Sequence, residues 1–224
     1  MREFTKLYGE LVKLYWRKGE GVINNGALLK AFQNEFPRFG DDEQHDVQET
    51  ILCILDVLER DVPLIKNIFY GKKVQETIWP NGKTMCEEDF SIHLLTYDGT
   101  TMNDMMKKST DWSVIENFED TEGNIYNVAT TRKLFSKLPH VFMISMDKIS
   151  RFNVAETIFM DKYEYNLVST VVHMGVQNKG HYVCYTKVKG NWYLIDDDVI
   201  TKEQELPREN GYYIMFYNLK TPQS

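Results

Sequence analysis

Apolar residues recur at helical spacing in the first third of the chain. Residues 3–17 place them at i, i+3 and i+4, which predicts an amphipathic helix. A shorter helix is predicted at 27–34, after an Asn-Asn-Gly turn signal. Residues 42–60 carry another apolar stripe, which predicts a long helix with Asp41 or Asp42 as its N-cap. The N-terminal part is therefore predicted to be helical.

From residue 68 onward the pattern changes to short β-like runs separated by turn signals such as Asn81-Gly82. The segment 99–120 is ambiguous, and Met102–Lys108 could form one or two helical turns. The predicted strands are Ile68–Tyr70, Val74–Trp79, Phe90–Leu95, Ile125–Val128, Val141–Met146, Tyr165–His173, His181–Val188, Trp192–Ile195 and Tyr212–Tyr217. Helices followed by hairpin-connected strands predict an α+β fold with a mainly antiparallel sheet.

Composition limits the possible partners. The chain has 224 residues with 42% hydrophobic content, enough for one substantial core or two modest ones. Its net charge of −7 argues against nucleic acid as a partner. No apolar stretch approaches the roughly 18 residues of a membrane span, and no signal-like segment follows Met1. Three irregularly spaced cysteines suit a reducing compartment, so we expect an intracellular protein, cytoplasmic or nuclear, without a membrane partner.

A predicted hairpin brings a histidine and a carboxylate together. A turn at Lys189-Gly190-Asn191 would run Tyr182–Val188 back against Trp192–Ile195 and return Asp196 to His181. A carboxylate beside an imidazole fixes its tautomer and stabilises the imidazolium. The pair is therefore the base and its orienting group, which are two members of a nucleophilic triad.

Sequence motifs around this pair give the chain a family resemblance. The motifs are Gln44–Glu49, Leu138–Phe142, Tyr165–Val168, Val172–Gly175, Gly180–Tyr185, Trp192–Val199 and Tyr213–Tyr217. In this order and rough spacing they resemble the ubiquitin-specific proteases, which are papain-like cysteine deubiquitinases.

The resemblance implies a papain-like architecture of thumb, fingers and palm that grips ubiquitin. Thumb helices would occupy residues 1–62, finger-like strands 66–137, and a palm sheet with the histidine and aspartate 138–219. The implied partners are ubiquitin or ubiquitinated proteins. No cofactor is implied.

The resemblance also assigns roles to individual residues. His181 would be the general base and Asp196 its orienting carboxylate, with Asp197 as the next residue that members often use. The channel for ubiquitin's C-terminal tail would be formed by Gln44, Asp46, Gln48, Glu49, Gly180 and Tyr182. Asp46 and Glu49 could pair with tail arginines, or they could simply complement the dipole of the first helical turn; both roles can hold at once. His173 is expected to be a loop or wall residue rather than a second catalytic histidine.

The family's nucleophile has no counterpart in this sequence. Family members open with a box that contains the reactive cysteine, and the match here begins downstream of that box. Cys184 lies three residues after His181 on one predicted strand, so the two side chains point to opposite faces. Cys53 is mid-helix, and Cys86 is followed by three carboxylates that oppose a thiolate. None of the three thiols is a credible nucleophile.

We also expect no metal. Many relatives carry two Cys-x-x-Cys pairs in the fingers, but the corresponding regions here are Thr77–Pro80 and Asp120–Asn124. Cys86 and His93 alone cannot close a tetrahedral zinc site. Packing around Trp79, Phe90 and Leu94 would have to replace the metal.

Several functions therefore stay open. The chain could be a cysteine deubiquitinase domain that lacks its nucleophilic segment, or an inactive pseudo-deubiquitinase that binds ubiquitin or a ubiquitin-like protein. A degenerate fragment that folds poorly is a third alternative. For these 224 residues alone we expect no hydrolysis.

Overall fold

The computed structural model describes residues 1–17, 23–41, 43–148, 150–176 and 179–220. They divide into two compact units, Met1–Asn67 and Ile68–Ser224. Within the described ranges, no helix is both long enough and apolar enough to cross a membrane.

The N-terminal unit is helical, as predicted. Its elements are α1 (Glu3–Trp16), α2 (Gly26–Glu35), a 3₁₀ turn (Pro37–Phe39), α3 (Val47–Asp61) and α4 (Leu64–Phe69), the last of which crosses the boundary between the units. Phe32 is central to the core, with its ring centroid 5.6 Å from that of Phe4 and 5.1 Å from that of Phe39. Cys53 and Val57 from α3 are buried in the same cluster.

Helix α3 begins later than predicted. The carboxylate of Asp46 accepts hydrogen bonds from the backbone N–H groups of Gln48 (2.7 Å) and Glu49 (3.2 Å), so Asp46 is the N-cap. Asp41 instead accepts from the backbone of Glu43 and contacts the ring of His45. Asp42 lies outside the described residues. The prediction of a helix from residue 42 is therefore wrong, because the cap that starts the helix is Asp46.

The prediction of a strand at Ile68–Tyr70 is also wrong. Ile68 and Phe69 form the last turn of α4. This helix starts beside Pro63, whose carbonyl accepts from the backbone N–H of Lys66. Proline suits a first helical turn because it lacks an N–H that would go unpaired there.

A four-stranded antiparallel sheet forms one part of the C-terminal unit. Its strands, in spatial order, are β2 (Gly82–Phe90), β1 (Gly71–Trp79), β5 (Ile125–Lys137) and β4 (Ser113–Glu119). The sequence predicted neither β4 nor most of β2, since both are edge strands whose residues are largely exposed. The predicted strand Phe90–Leu95 is divided at Ser91 between the two sheets of this unit.

An eight-stranded sheet forms the other part. Its strands are β3 (Ile92–Leu95), β6 (Val141–Met146), β7 (Thr157–Met160), β8 (Tyr163–Val176), β9 (Lys179–Val188), β10 (Asn191–Asp196), β11 (Val199–Glu203) and β12 (Tyr212–Leu219). The spatial order is β11-β10-β9-β8-β12-β6-β3, with β7 paired to β8. Only the β3–β6 pairing is parallel among the described strands. The predicted α+β class with a mainly antiparallel sheet is confirmed.

The core of the C-terminal unit lies against the eight-stranded sheet. Helix α5 (Met102–Lys108) packs three buried methionines into it. Two buried tyrosines of this core have hydrogen-bond partners: the hydroxyl of Tyr165 donates to the carbonyl of Pro139 at 2.6 Å, and that of Tyr217 to the carbonyl of Ala155 at 2.7 Å. A well-packed sheet thus supports the strands that carry the candidate site.

Candidate active site

Strands β9 and β10 form the predicted hairpin. Lys189 and Gly190 at its tip both have positive φ angles, +50° and +81°, as a tight two-residue turn requires. Pairing runs from Asn191 opposite Val188 to Ile195 opposite Cys184. The hairpin prediction is confirmed.

This register brings His181 and Asp196 together. The ladder ends at Ile195 opposite Cys184, and one further step would set Asp196 opposite Val183. Val183 lies two residues after His181 on the same strand, so their side chains point to the same face. Diagonal neighbours of this kind are within reach of long side chains. Nε2 of His181 and Oδ1 of Asp196 are 2.6 Å apart, and each side chain is slightly less than half exposed.

The hydrogen bond determines which ring nitrogen can act as a base. An ionised carboxylate only accepts hydrogen bonds, so Nε2 of His181 must carry the proton that is donated to Asp196. In the neutral imidazole, Nδ1 therefore holds the lone pair. Nδ1 is the atom of His181 that can take a proton from a nucleophile.

The two carboxylates raise the pKa of His181. The largest cause is the hydrogen bond to Asp196, which outweighs the opposing effect of partial burial; the charges of Asp196 and Asp197 add to it. Asp197 has a φ angle of +48° at the start of the β10–β11 turn, next to Asp196. The site therefore favours the imidazolium that forms once the base has taken a proton.

The same three side chains are the candidate ligand group for a cation. Among the described residues, one possible ligand atom from each of His181, Asp196 and Asp197 lies within 4.8 Å of the other two. However, Nε2 of His181 and Oδ1 of Asp196 are at hydrogen-bond distance from each other. This geometry matches a base with its orienting carboxylate better than ligands that surround an ion.

His173, Gly180 and Tyr182 form a tightly packed wall on β8 and β9, on the sheet face opposite to the side chain of His181. A Cβ added to Gly180 would lie 2.0 Å from Nε2 of His173, so only glycine fits there. The ring of Tyr182 packs edge-on against His173, with centroids 4.9 Å apart. Burial lowers the pKa of His173, whose side chain is enclosed and whose Nδ1 has no partner among the described residues.

His173 was expected to be a loop or wall residue, and the structure places it on a strand, packed against Gly180 and Tyr182. It lies on strand β8, and its backbone N–H donates to the carbonyl of Gly211. The close packing of the His173 ring against Gly180 was not predicted from the sequence. The predicted strand Tyr165–His173 did place His173 at the end of a strand.

The three thiols have other surroundings. Cys184 lies on β9 with its Sγ 3.3 Å from the hydroxyl of Ser169, and burial raises its pKa. Burial also raises the pKa of Cys53, which accepts a hydrogen bond from Arg38 in the N-terminal unit. Cys86 is exposed on β2 of the four-stranded sheet. Neither Cys53 nor Cys184 is activated as a nucleophile, since the pKa of each is raised.

The predicted tail-channel residues of the N-terminal unit lie around the start of α3. Gln44 is exposed ahead of the helix, and Gln48 lies in its first turn. Asp46 caps the helix, and Glu49 forms an ion pair with Arg38 at 2.7 Å. Arg38 as the partner of Glu49 was not predicted from the sequence. Gly180 and Tyr182 lie in the other unit, beside His181.

Hydrogen bonds and aromatic packing occupy the segments Thr77–Pro80 and Asp120–Asn124, for which the resemblance raised the question of zinc ligands. Thr77 is buried and shares a hydrogen bond with Thr131 at 3.0 Å, while Trp79 packs on Phe118. The carboxylate of Asp120 closes its turn by accepting from the backbone N–H groups of Glu122 and Asn124, both at 2.9 Å. Three residues were expected to replace the metal. Trp79 packs on Phe118, but Phe90 packs on Phe135 and Phe142 in the core of the C-terminal unit, and Leu94 is 53% exposed.

Comparisons with known proteins identify a family. Residues 1–158 and 149–217 match the profile of the family described as ubiquitin carboxyl-terminal hydrolase. Ubiquitin carboxyl-terminal hydrolase 16 of Arabidopsis thaliana is 26% identical over 92% of the chain, and ubiquitin carboxyl-terminal hydrolase 7 of Drosophila melanogaster is 25% identical over 86%. The chain spans 25% and 20% of the lengths of these two relatives.

Solved structures show the same fold. A chain of the SAGA Ubp8/Sgf11/Sus1/Sgf73 DUB module bound to ubiquitin aldehyde superimposes with a TM-score of 0.75 at 17% identity. The match covers 88% of this chain and 54% of that one. The same module bound to monoubiquitin gives 0.76 at 18% identity. Because the family profile covers nearly the whole sequence, this chain belongs to the ubiquitin carboxyl-terminal hydrolase family.

Proposed function

We propose that this chain is the base-bearing part of a ubiquitin carboxyl-terminal hydrolase and that it binds the C-terminal tail of ubiquitin beside His181. The observation that carries the proposal is the 2.6 Å contact between Nε2 of His181 and Asp196, which leaves Nδ1 as a base. The relatives are named as ubiquitin hydrolases, and the similar solved structures hold ubiquitin or its aldehyde.

In the proposed reaction, Nδ1 of His181 takes the proton of a cysteine thiol. The thiolate attacks the carbonyl of ubiquitin's C-terminal glycine, and the imidazolium then returns the proton to the leaving amine. Asp196, with Asp197 close by, stabilises the imidazolium between these two steps, in keeping with the raised pKa of His181. The thiol has to come from a segment other than these 224 residues, because buried Cys53 and half-buried Cys184 have raised pKa values and Cys86 lies on the other sheet.

Each unit carries residues that we propose contact the tail. Glu49 and Asp46 supply carboxylates for tail arginines, with Gln44 and Gln48 beside them, and a tail arginine would compete with Arg38 for Glu49. Gly180 and Tyr182 would line the narrow passage for the terminal glycines. The tightness of the packing at Gly180 supports this role, since the strand there has no room for a side chain.

The raised pKa values of Cys53 and Cys184 favour a second function, in which no thiol of this chain acts as a nucleophile. As it stands, the chain would be a pseudo-deubiquitinase that holds ubiquitin, or a ubiquitin-like protein, without cleaving it. For these residues alone we propose binding without turnover. Three free cysteines suit the intracellular setting, cytoplasmic or nuclear, in which ubiquitin would be met.

The test combines a binding and a turnover measurement. Ubiquitin titrated into fluorescently labelled protein should give a saturable anisotropy change, while ubiquitin without its last two glycines should bind more weakly. A fluorogenic C-terminal amide of ubiquitin should not be cleaved. Turnover that disappears in His181→Ala would overturn the binding-only proposal and make the chain an enzyme. No saturable binding up to about 1 mM, a binding free energy near −4 kcal/mol, would sink the ubiquitin proposal altogether.

A further inference from the structure

An open cavity of about 420 Å³ lies in the C-terminal unit, between β1, β3, β5 and α5. Its lining residues are Lys73, His93, Leu94, Leu95, Thr96, Asp98, Met105, Lys108, Ser109, Lys133 and Phe135. Three of them are lysines and one is an aspartate, so the wall carries a net positive charge. This cavity has no part in the function proposed above.

Lys73 is the unusual member of this wall. Its side chain is buried, and among the described residues no carboxylate comes within salt-bridge distance of its ammonium group. The ammonium instead lies over the ring of Phe90, 4.3 Å from its centroid. Burial, followed by the charge of Lys133, lowers the pKa of Lys73 to about 8, so the cation is poorly compensated.

The neighbouring carboxylates are already bonded to other lysines. Glu88 lies opposite Lys73 in the ladder, but its Oε1 is 3.1 Å from Nζ of Lys133. Asp98 is paired with Lys108 at the cavity rim. The charge of Lys73 therefore lacks an anion of its own, while Lys133 and Lys108 are half exposed beside it.

His93 does not supply a further cation. Its Nε2 is 2.9 Å from the hydroxyl of Ser109, whose hydrogen is donated to the carbonyl of Met106. Nε2 must therefore carry a proton, and Nδ1 is the unprotonated nitrogen. Burial, together with the charges of Lys73 and Lys133, lowers the pKa of His93 to about 3. The ring is neutral at pH 7, and the positive charge of the cavity comes from lysines alone.

We propose that this cavity binds the phosphate group of a small molecule, held by Lys73 and Lys133. An anion at this point would compensate the buried ammonium, which no described carboxylate reaches. Phosphate suits the site because lysines bind it as point charges and its several oxygens can accept from more than one ammonium group. The cavity is far from the base: β3 is four strands from β9 in the sheet, about 19 Å at ~4.8 Å per strand.

The test measures the melting temperature of the chain in increasing inorganic phosphate, at constant ionic strength set with sodium chloride. The wild type should show a saturable rise. Lys73→Met and the rim variant Lys133→Met should bind phosphate about ten-fold more weakly or not at all. Lys72→Met is the matched control, because Lys72 is adjacent but pairs with Glu87 on the other face of β1, so the phosphate response should be unchanged.

A second series with methyl phosphate distinguishes the source of the group. Equal or tighter binding of methyl phosphate would assign a phosphate monoester, and binding of inorganic phosphate alone would assign the free ion. The proposal fails if chloride at matched ionic strength gives the same rise. It also fails if both Lys73→Met and Lys133→Met, folded as judged by their transitions without phosphate, respond like the wild type. A lost response in Lys72→Met would likewise overturn it.

Discussion

Replacing Gly180 with alanine tests how tightly Gly180 packs against His173 in the wall formed with Tyr182. The new Cβ would lie 2.0 Å from Nε2 and 2.1 Å from Cε1 of His173. Ordinary carbon contacts are about 3.5–4.0 Å, so the ring and strand β9 must separate by roughly 1.5 Å. His173 cannot easily yield, because it is buried beneath Tyr182 and its backbone is bonded to Gly211.

We therefore expect Gly180→Ala to destabilise the C-terminal unit by about 2–3 kcal/mol, the upper part of the range for overpacked sites. Urea unfolding followed by tryptophan fluorescence reports mainly on this unit, since three of the four tryptophans, Trp79, Trp112 and Trp192, lie in it. Gly9→Ala is the control: the same change in mid-helix, with nothing within 4 Å, should be neutral or stabilising by up to ~1 kcal/mol.

A second substitution identifies the cause. His173→Ala removes the ring that the new methyl would meet, so the double variant should be about 1–2 kcal/mol more stable than the sum of the single effects. Additivity within roughly 0.5 kcal/mol would refute the packing explanation. The cost of Gly180→Ala would then have to come from the backbone of β9.

Three further substitutions test other contacts. Asp196→Asn should lower the pKa of His181, measured by NMR of its ring protons. Asp198→Asn is the control, and it should lower the pKa of His181 less than Asp196→Asn does. Because the folded pKa is raised, the wild-type pair stabilises the fold below the imidazole's unfolded pKa, and this contribution is lost as the pH rises through the folded pKa. Asp46→Ala should cost about 1 kcal/mol of helix capping, whereas Asp46→Asn keeps an acceptor and should cost less; equal losses in urea unfolding would contradict the capping role. Tyr217→Phe should cost about 1–2 kcal/mol in the same assay by leaving the carbonyl of Ala155 unpaired, and an unchanged stability would contradict that bond.

The hairpin pair was predictable because two local signals coincide. A Lys-Gly-Asn turn fixes the register, and a strand's two-residue period then determines which side chains share a face with His181. The start of α3 was less predictable, since three aspartates within six residues could each cap it. Only the folded chain shows that Asp41 turns to His45 while Asp46 caps the helix.

Strand pairings between distant segments left weaker traces in the sequence. Edge strands β2 and β4 are mostly exposed, so they lack the alternation of buried and polar residues that marks a strand. The close approach of His173 to Gly180 depends on the β8–β9 register and has no local signature. The cavity around Lys73 combines residues from separated strands and one helix, which no sequence period brings together.

The most direct test of the proposed function follows the ring-proton NMR signal of His181 while ubiquitin is added. The account predicts a saturable change with intact ubiquitin, because the tail would lie beside Nδ1, and a much smaller one with ubiquitin that lacks its last two glycines. A His181 signal that stays unchanged up to about 1 mM ubiquitin would contradict the claim that this chain binds the tail at its base.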